Sequence, residues 1–217
     1  MTMPRIRQRL RTHLTLVFLI LGALLVSAGT ANASIMLALD LPDLVKQADH
    51  IAVVDVASVR SDWDEKHERI YSTIELSVVE TWKSNANNGS TPTRLTIVQA
   101  GGTVGDMSMV VMGMSTFVPG TRSLVFLRGK ANRAQVVGMA QGLRPLSFEA
   151  ASKRWMVSPP SLSQVKLVRA TGSATTTPAT GTASQATTPV RPGNLGARME
   201  LDAMKSEVMK LVTATTP

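Results

Sequence analysis

The segment Ile70-Tyr-Ser-Thr-Ile-Glu-Leu-Ser-Val78 constrains this chain most. Ile70, Ser72, Ile74, Leu76 and Val78 share one parity, and Tyr71, Thr73, Glu75 and Ser77 the other. Side chains of an extended strand point alternately to opposite faces, so the pattern builds a half-buried strand and does not suit a helix. The parity blurs at Val78-Val79, which predicts a bulge there. Residues 50–60 read as a preceding strand, rich in β-branched side chains (Ile51, Val53, Val54, Val56, Val59), and polar residues 61–69 join the two as a turn.

More β segments follow at 94–99, 107–114, 121–128, 135–139, 143–148 and 154–157. Turn chemistry punctuates them at Asn87-Asn88-Gly89 and Phe117-Val-Pro119-Gly120. Two segments have helical spacing. In 41–49, Pro42 suits the first turn, and Leu41, Leu44, Val45 and Ala48 share a face. Near 194–212, Leu201, Met204, Val208 and Leu211 form an apolar stripe, which predicts a helix that either docks back on the strands, the favoured reading, or binds another molecule. Short strands with one leading helix predict a mainly β domain, a small barrel or a sandwich. An α/β fold would alternate helices with strands.

The ends of the chain are different material. Arg5, Arg7, Arg9 and Arg11 precede an apolar run from Leu14 to Ser27 and then small residues ending in Ala31-Asn32-Ala33. This is the three-part pattern of a cleavable export signal over residues 1–33, with Ala31 and Ala33 read by the peptidase and Ser34 the first residue of the released protein. The apolar run is too short for a bilayer, which needs about 20 residues. Residues 34–160 are then the β domain. Residues 161–193, rich in Thr, Ala, Gly, Ser and Pro, are expected to be a flexible linker, and 194–217 a helix and tail.

Composition narrows the function. Without the four signal arginines, the 23 basic residues fall to 19 against 15 acidic ones, too even a balance to point to a polyanion. No basic stripe is interleaved with aromatic residues, so nucleic acid is not an expected partner. The chain has no cysteine, which removes disulfides, thiol chemistry and lipoprotein anchoring. A cysteine-free exported chain reads as bacterial, secreted or periplasmic, with no membrane attachment once the signal is cleaved.

Groups that might carry chemistry are few. Past the signal only His50 and His67 remain. His67 lies among Asp62, Asp64, Glu65 and Glu68, a set that allows a carboxylate–imidazole metal site or a general base, but its spacing fits neither a zinc nor a calcium motif, and a solvated turn explains it. His50 reads as structural. Gly101-Gly102-x-x-Gly105 would bind phosphate only if a helix followed, and Met107-Ser-Met-Val-Val-Met is no helix start, so the glycines predict a tight β connection. Met107, Met109, Met112, Met114 and Met139 allow copper(I) ligation in principle, yet they suit adaptable packing or an apolar partner surface better. No cofactor is expected. Asn88-Gly89-Ser90 has the form of a glycosylation sequon and reads as a turn.

Several short matches carry a resemblance. They are 44–56, Ile70-Tyr-Ser-Thr73, Val79-Glu-Thr-Trp-Lys83, Gly101-Gly102, Phe117–Gly120, Leu124-Val-Phe-Leu127 and Gly138-Met-Ala-Gln-Gly142. Over roughly 41–146 the chain resembles a family of exported bacterial proteins without an assigned activity. More distantly, it is similar to the OB-type barrel of netrin-like modules and tissue inhibitors of metalloproteinases. The resemblance implies a small OB-like antiparallel β-barrel. Those inhibitors chelate the protease metal through an N-terminal cysteine, which this chain lacks, so inhibition would need another mechanism.

The sequence thus predicts a non-enzymatic exported binding module. A groove formed by Gly101, Gly102, Gly105, Met107, Met109, Phe117 and Pro119 would take a protein or peptide partner. The alternatives are an inhibitor-like partner of an exported protease, and a hydrolase or metal-binding activity using His67 and its carboxylates.

Overall fold

Alternation in the sequence becomes a mainly β molecule. The computed structural model describes residues 34–85, 91–162, 165–170, 187–190 and 196–215. The expected export signal, the Asn87-Asn88-Gly89 turn with its sequon, and most of the expected linker lie outside the described residues.

The chain opens with β1 (Ser34–Leu37) and helix α1 (Leu41–Gln47). Asp40 caps α1, its Oδ1 accepting from Asp43 N–H at 3.0 Å, and Pro42 occupies the first turn, where no backbone donor is lost. Two long strands follow, β2 (His50–Trp63) and β3 (Ile70–Ser84), paired antiparallel through a tight turn. Next come β4 (Arg94–Ala100), the short β5 (Gly102–Val104) and β6 (Met107–Met109), then β7 (Arg122–Lys130) and β8 (Arg133–Val136). A single 3-10 turn (Met139–Gly142) leads into β9 (Leu143–Glu149) and β10 (Arg154–Val157).

The strand expected over 107–114 is corrected. It ends at Met109, after which Val111 to Met114 turn, Met114 N–H donating to Val111 C=O at 3.2 Å.

The stretch expected as a linker, 161–193, contains two strands, β11 (Val165–Ala170) and β12 (Thr187–Val190). β11 runs parallel to β1 and antiparallel to β12. The physical reason is local: Val165, Leu167 and Val168 give β11 strand-forming residues, and Pro189 is tolerated because β12 is an edge strand. The C-terminal helix starts later than expected, because Met199–Glu200 first pair with β10 as β13. Helix α2 then spans Leu201–Thr215. Among the described residues, no helix is long and apolar enough to cross a membrane.

The main sheet has the order β13-β10-β9-β7-β2-β3-β4-β8, and β7 also pairs with β8. Five strands, β2, β3, β4, β8 and β7, therefore pair in a ring. Four of its seams are antiparallel. The fifth, β4 with β8, is parallel and rests on one register pair, Ile97 with Ala134.

Two cores sit on opposite faces of these strands. One joins Ala52, Val54, Val56, Ile74, Leu76, Leu95, Ile97, Val125 and Leu127 inside the ring. The other joins Ile51, Val53, Trp82, Leu124 and Phe126 to Leu44 and Val45 of α1 and to Met204 and Val208 of α2. The centre of β7, Leu124 to Leu127, is apolar without interruption because both of its faces are buried there. The expected bulge appears in β3: Val53 pairs with Glu80 and Val54 with Val78, so Val79 has no partner. That extra residue lets one alternating sequence serve both cores, Ile74 and Leu76 facing one and Trp82 the other.

Candidate functional site

Gly101 leaves β4 with φ +104°, and Gly102 follows with φ +138°, both in the region open mainly to glycine. Gly101 N–H donates to Ile70 C=O at 2.8 Å, and its own carbonyl accepts from Ser72 Oγ at 2.6 Å. Ser72 and its register partner Ser61 place their hydroxyls 2.9 Å apart. A Cβ at Gly102 would stand 2.3 Å from Ser61 Oγ and 2.5 Å from Ser72 Oγ. The glycine pair thus lays the chain directly on the β2–β3 ribbon. β5 and β6 then form a small hairpin turning at Gly105-Asp106. No helix follows, so no helix N-terminus faces the glycines.

This connection borders an open cleft of about 250 Å³ lined by Gly101, Gly102, Met109, Val111, Ile74 and Phe117. Phe117 is buried and reaches the core inside the ring. Four of the expected groove residues, Gly101, Gly102, Met109 and Phe117, therefore meet here. The other three do not line it. Gly105 is exposed at the hairpin turn, Met107 is 60% exposed on β6, and Pro119 is exposed in the turn that precedes β7. Val110, which also lines the cleft, is 83% exposed.

The histidines stand apart from this cleft. His67 adopts φ +56° at the β2–β3 turn and stacks on Trp63, with centroids 6.3 Å apart. Asp64 beside it accepts from the backbone N–H of Glu68 at 2.8 Å and of Arg69 at 3.2 Å, so its carboxylate shapes the turn. His50 is buried, with Nδ1 3.3 Å from Ser84 Oγ. Among the described residues no cluster of three or more His, Asp or Glu is arranged to hold a metal.

Charged groups serve mainly as ties between elements. Arg122 of β7 donates from Nε and Nη2 to the two carboxylate oxygens of Asp55 on β2, at 2.7 and 2.8 Å, and its guanidinium lies 4.9 Å from the Trp155 ring centroid. The Arg122 hydrogen bond holds the Asp55 carboxyl below its usual range, outweighing the upward push of burial. Lys205 of α2 is bonded to Glu80 of β3. Burial pushes the Glu80 carboxyl up, and Lys205 with Trp82 more than reverses this, so it also titrates low. Arg144 on β9 is buried, and burial pushes its pKa down to about 10.

Gln141 is a buried polar residue that sequence reasoning passed over. Its Oε1 accepts from Leu39 N–H at 2.8 Å, and its Nε2 donates to Leu37 C=O at 2.9 Å. One side-chain amide thus pairs with the segment between β1 and α1 as a neighbouring strand would. Only the motif Gly138-Met-Ala-Gln-Gly142 drew attention to this position, with no hint of its partner.

Compared with protein-family models, with curated proteins and with solved structures, the chain matches none of them.

Proposed function

We propose that this protein is an exported, non-enzymatic binding module that takes an extended peptide or a loop of another protein. One observation carries the reading. The cleft between the Gly101-Gly102 connection and the 108–117 segment has buried apolar side chains, Ile74 and Phe117, in its lining, together with the prominently exposed Val110, and the exposed Met107 follows on the adjoining hairpin. Exposed apolar side chains beside a concave apolar surface are what a partner site offers.

Two strand relationships support an OB-like barrel beneath it: the ring order β2-β3-β4-β8-β7, and the parallel contact of β4 with β8 among antiparallel seams. Such barrels bind ligands on a strand face and its bordering loops. Export rests on the sequence pattern of residues 1–33.

The test exploits the absence of cysteine. Val110→Cys provides a unique attachment point for a photo-cross-linker, and Ser152→Cys, on the exposed β9–β10 turn outside the cleft lining, provides a control. Position 110 is expected to cross-link a partner from culture supernatant, position 152 is not, and Met107→Asp with Val110→Asp should abolish its recovery. Equal labelling from both positions, or recovery untouched by the aspartates, would refute the proposal.

A further inference from the structure

A second and larger cleft opens where the ring is weakest. The pairing of β4 with β8 rests on the single register pair Ile97 and Ala134. Beyond that pair, Gln99 stays with Ser72 of β3 while Val136 stays with Leu127 of β7, so the two strands part. The gap is a cleft of about 480 Å³. Its apolar side chains, Leu39, Ile97, Val136, Met114 and Met139, alternate with the polar Gln47, Gln99, Ser115 and Gln135.

The covering segments are held in place. Gln99 Nε2 donates to Ser115 C=O at 2.7 Å, and Ser115 Oγ donates to Met139 C=O at 3.0 Å. The cleft is therefore pre-formed, which lowers the ordering cost of binding.

Its charge is one-sided. Arg128 and Arg133 both line it, and no Asp or Glu does. Among the described residues, the ion pairs engage Arg122, Arg154, Arg198 and Lys205, not these two arginines. Two exposed guanidiniums beside the apolar Leu39, Ile97, Val136 and Met139 are complementary to an anionic head on an apolar body. The guanidinium fork matches a carboxylate in shape as well as charge. Its volume falls within the range of small-molecule sites, about 300–1,000 Å³, room enough for a medium-length acyl chain.

We infer that this cleft binds a medium-chain amphipathic carboxylate, its acid group between Arg128 and Arg133 and its chain against Ile97, Val136 and Met139. The cleft shares Gln99, Ala100, Met114 and Ser115 with the partner groove proposed above, but the two arginines line only this one, so the inference does not rest on that groove.

Calorimetric titration of the purified protein with sodium decanoate, below its micelle concentration, tests it. Decanoate is expected to saturate at one molecule per chain. 1-Decanol should bind about tenfold more weakly or worse, and Arg128→Gln with Arg133→Gln should cost about tenfold or more in decanoate affinity. Lys130→Gln, a neighbouring cation on the same hairpin but outside the cleft, should leave binding unchanged. Absence of saturable binding up to about 1 mM overturns the inference, as do equal affinities for acid and alcohol. Indifference to the arginine changes, with folding confirmed by circular dichroism, also overturns it. A short peptide with a free C-terminal leucine that binds about tenfold more tightly than decanoate would assign the site to peptide carboxylates and overturn the lipid-like ligand.

Discussion

Gln141 shows how much one buried side chain can decide. Its exposure is 1%, its Oε1 accepts from Leu39 N–H, and its Nε2 donates to Leu37 C=O, to Met36 Sδ and, at 3.4 Å, to Gly138 C=O. Gln141→Leu keeps nearly the same volume but leaves Leu39 N–H and Leu37 C=O without the amide. A buried polar group left without its partner costs about 1–3 kcal/mol. The variant is therefore expected to unfold at lower urea with an unchanged slope, by an amount in that range. An unchanged midpoint would mean that water replaces the amide without loss. Gly101-Gly102 is the complementary case. The sequence marks it as a tight connection, because paired glycines permit positive φ, but the sequence does not reveal the serine pair on which Gly102 rests. That contact depends on β2 and β3 pairing Ser61 with Ser72, a register set by three bulges along the ribbon.

At the scale of elements, the alternation of β3 and the apolar runs of β2 and β7 were legible because strand periodicity is written in consecutive residues. The bulge at Val79 was legible for the same reason. Pairing across the chain was not, and neither the parallel contact of β4 with β8 nor the union of β1 with β11 leaves a local trace. The cleft residues Gly101 and Phe117 were found through turn chemistry. Arg128 and Arg133 were missed, because their meaning arises only where two strands part. Helix α2 was expected to dock on the strands, and it does so through Met204 and Val208, both buried against α1 and the sheet. Met204→Ala should then destabilise the protein by about 2–5 kcal/mol, the usual range for deleting a buried methionine side chain. Met209→Ala, 41% exposed on the same helix, should stay within about 0.5 kcal/mol of the parent. Equal effects at the two positions in urea unfolding would contradict the docked orientation.

Across the whole molecule, two ion pairs span the seams between separately built parts. Asp55 and Arg122 tie β2 to β7, while Glu80 and Lys205 tie the ribbon to α2. Both carboxyls titrate below their unfolded values of 3.8 and 4.5. A carboxyl with a lowered folded pKa binds fewer protons folded than unfolded. Its stabilisation is therefore complete above the unfolded pKa and is lost as the pH falls through the folded one. The Asp55 side chain is 42% exposed, so solvent screening limits its pair to less than about 1 kcal/mol. Asp55→Asn should lower stability by up to that amount at neutral pH. The deficit should shrink as the pH drops below about 4 and vanish in stronger acid, where the parent's carboxylate is protonated too. With no disulfide to hold the unfolded chain together, nothing covalent masks this dependence. Urea unfolding of parent and variant across the acid range should give converging curves, and curves that stay parallel down to strong acid would show that Asp55 contributes through packing and not through its charge.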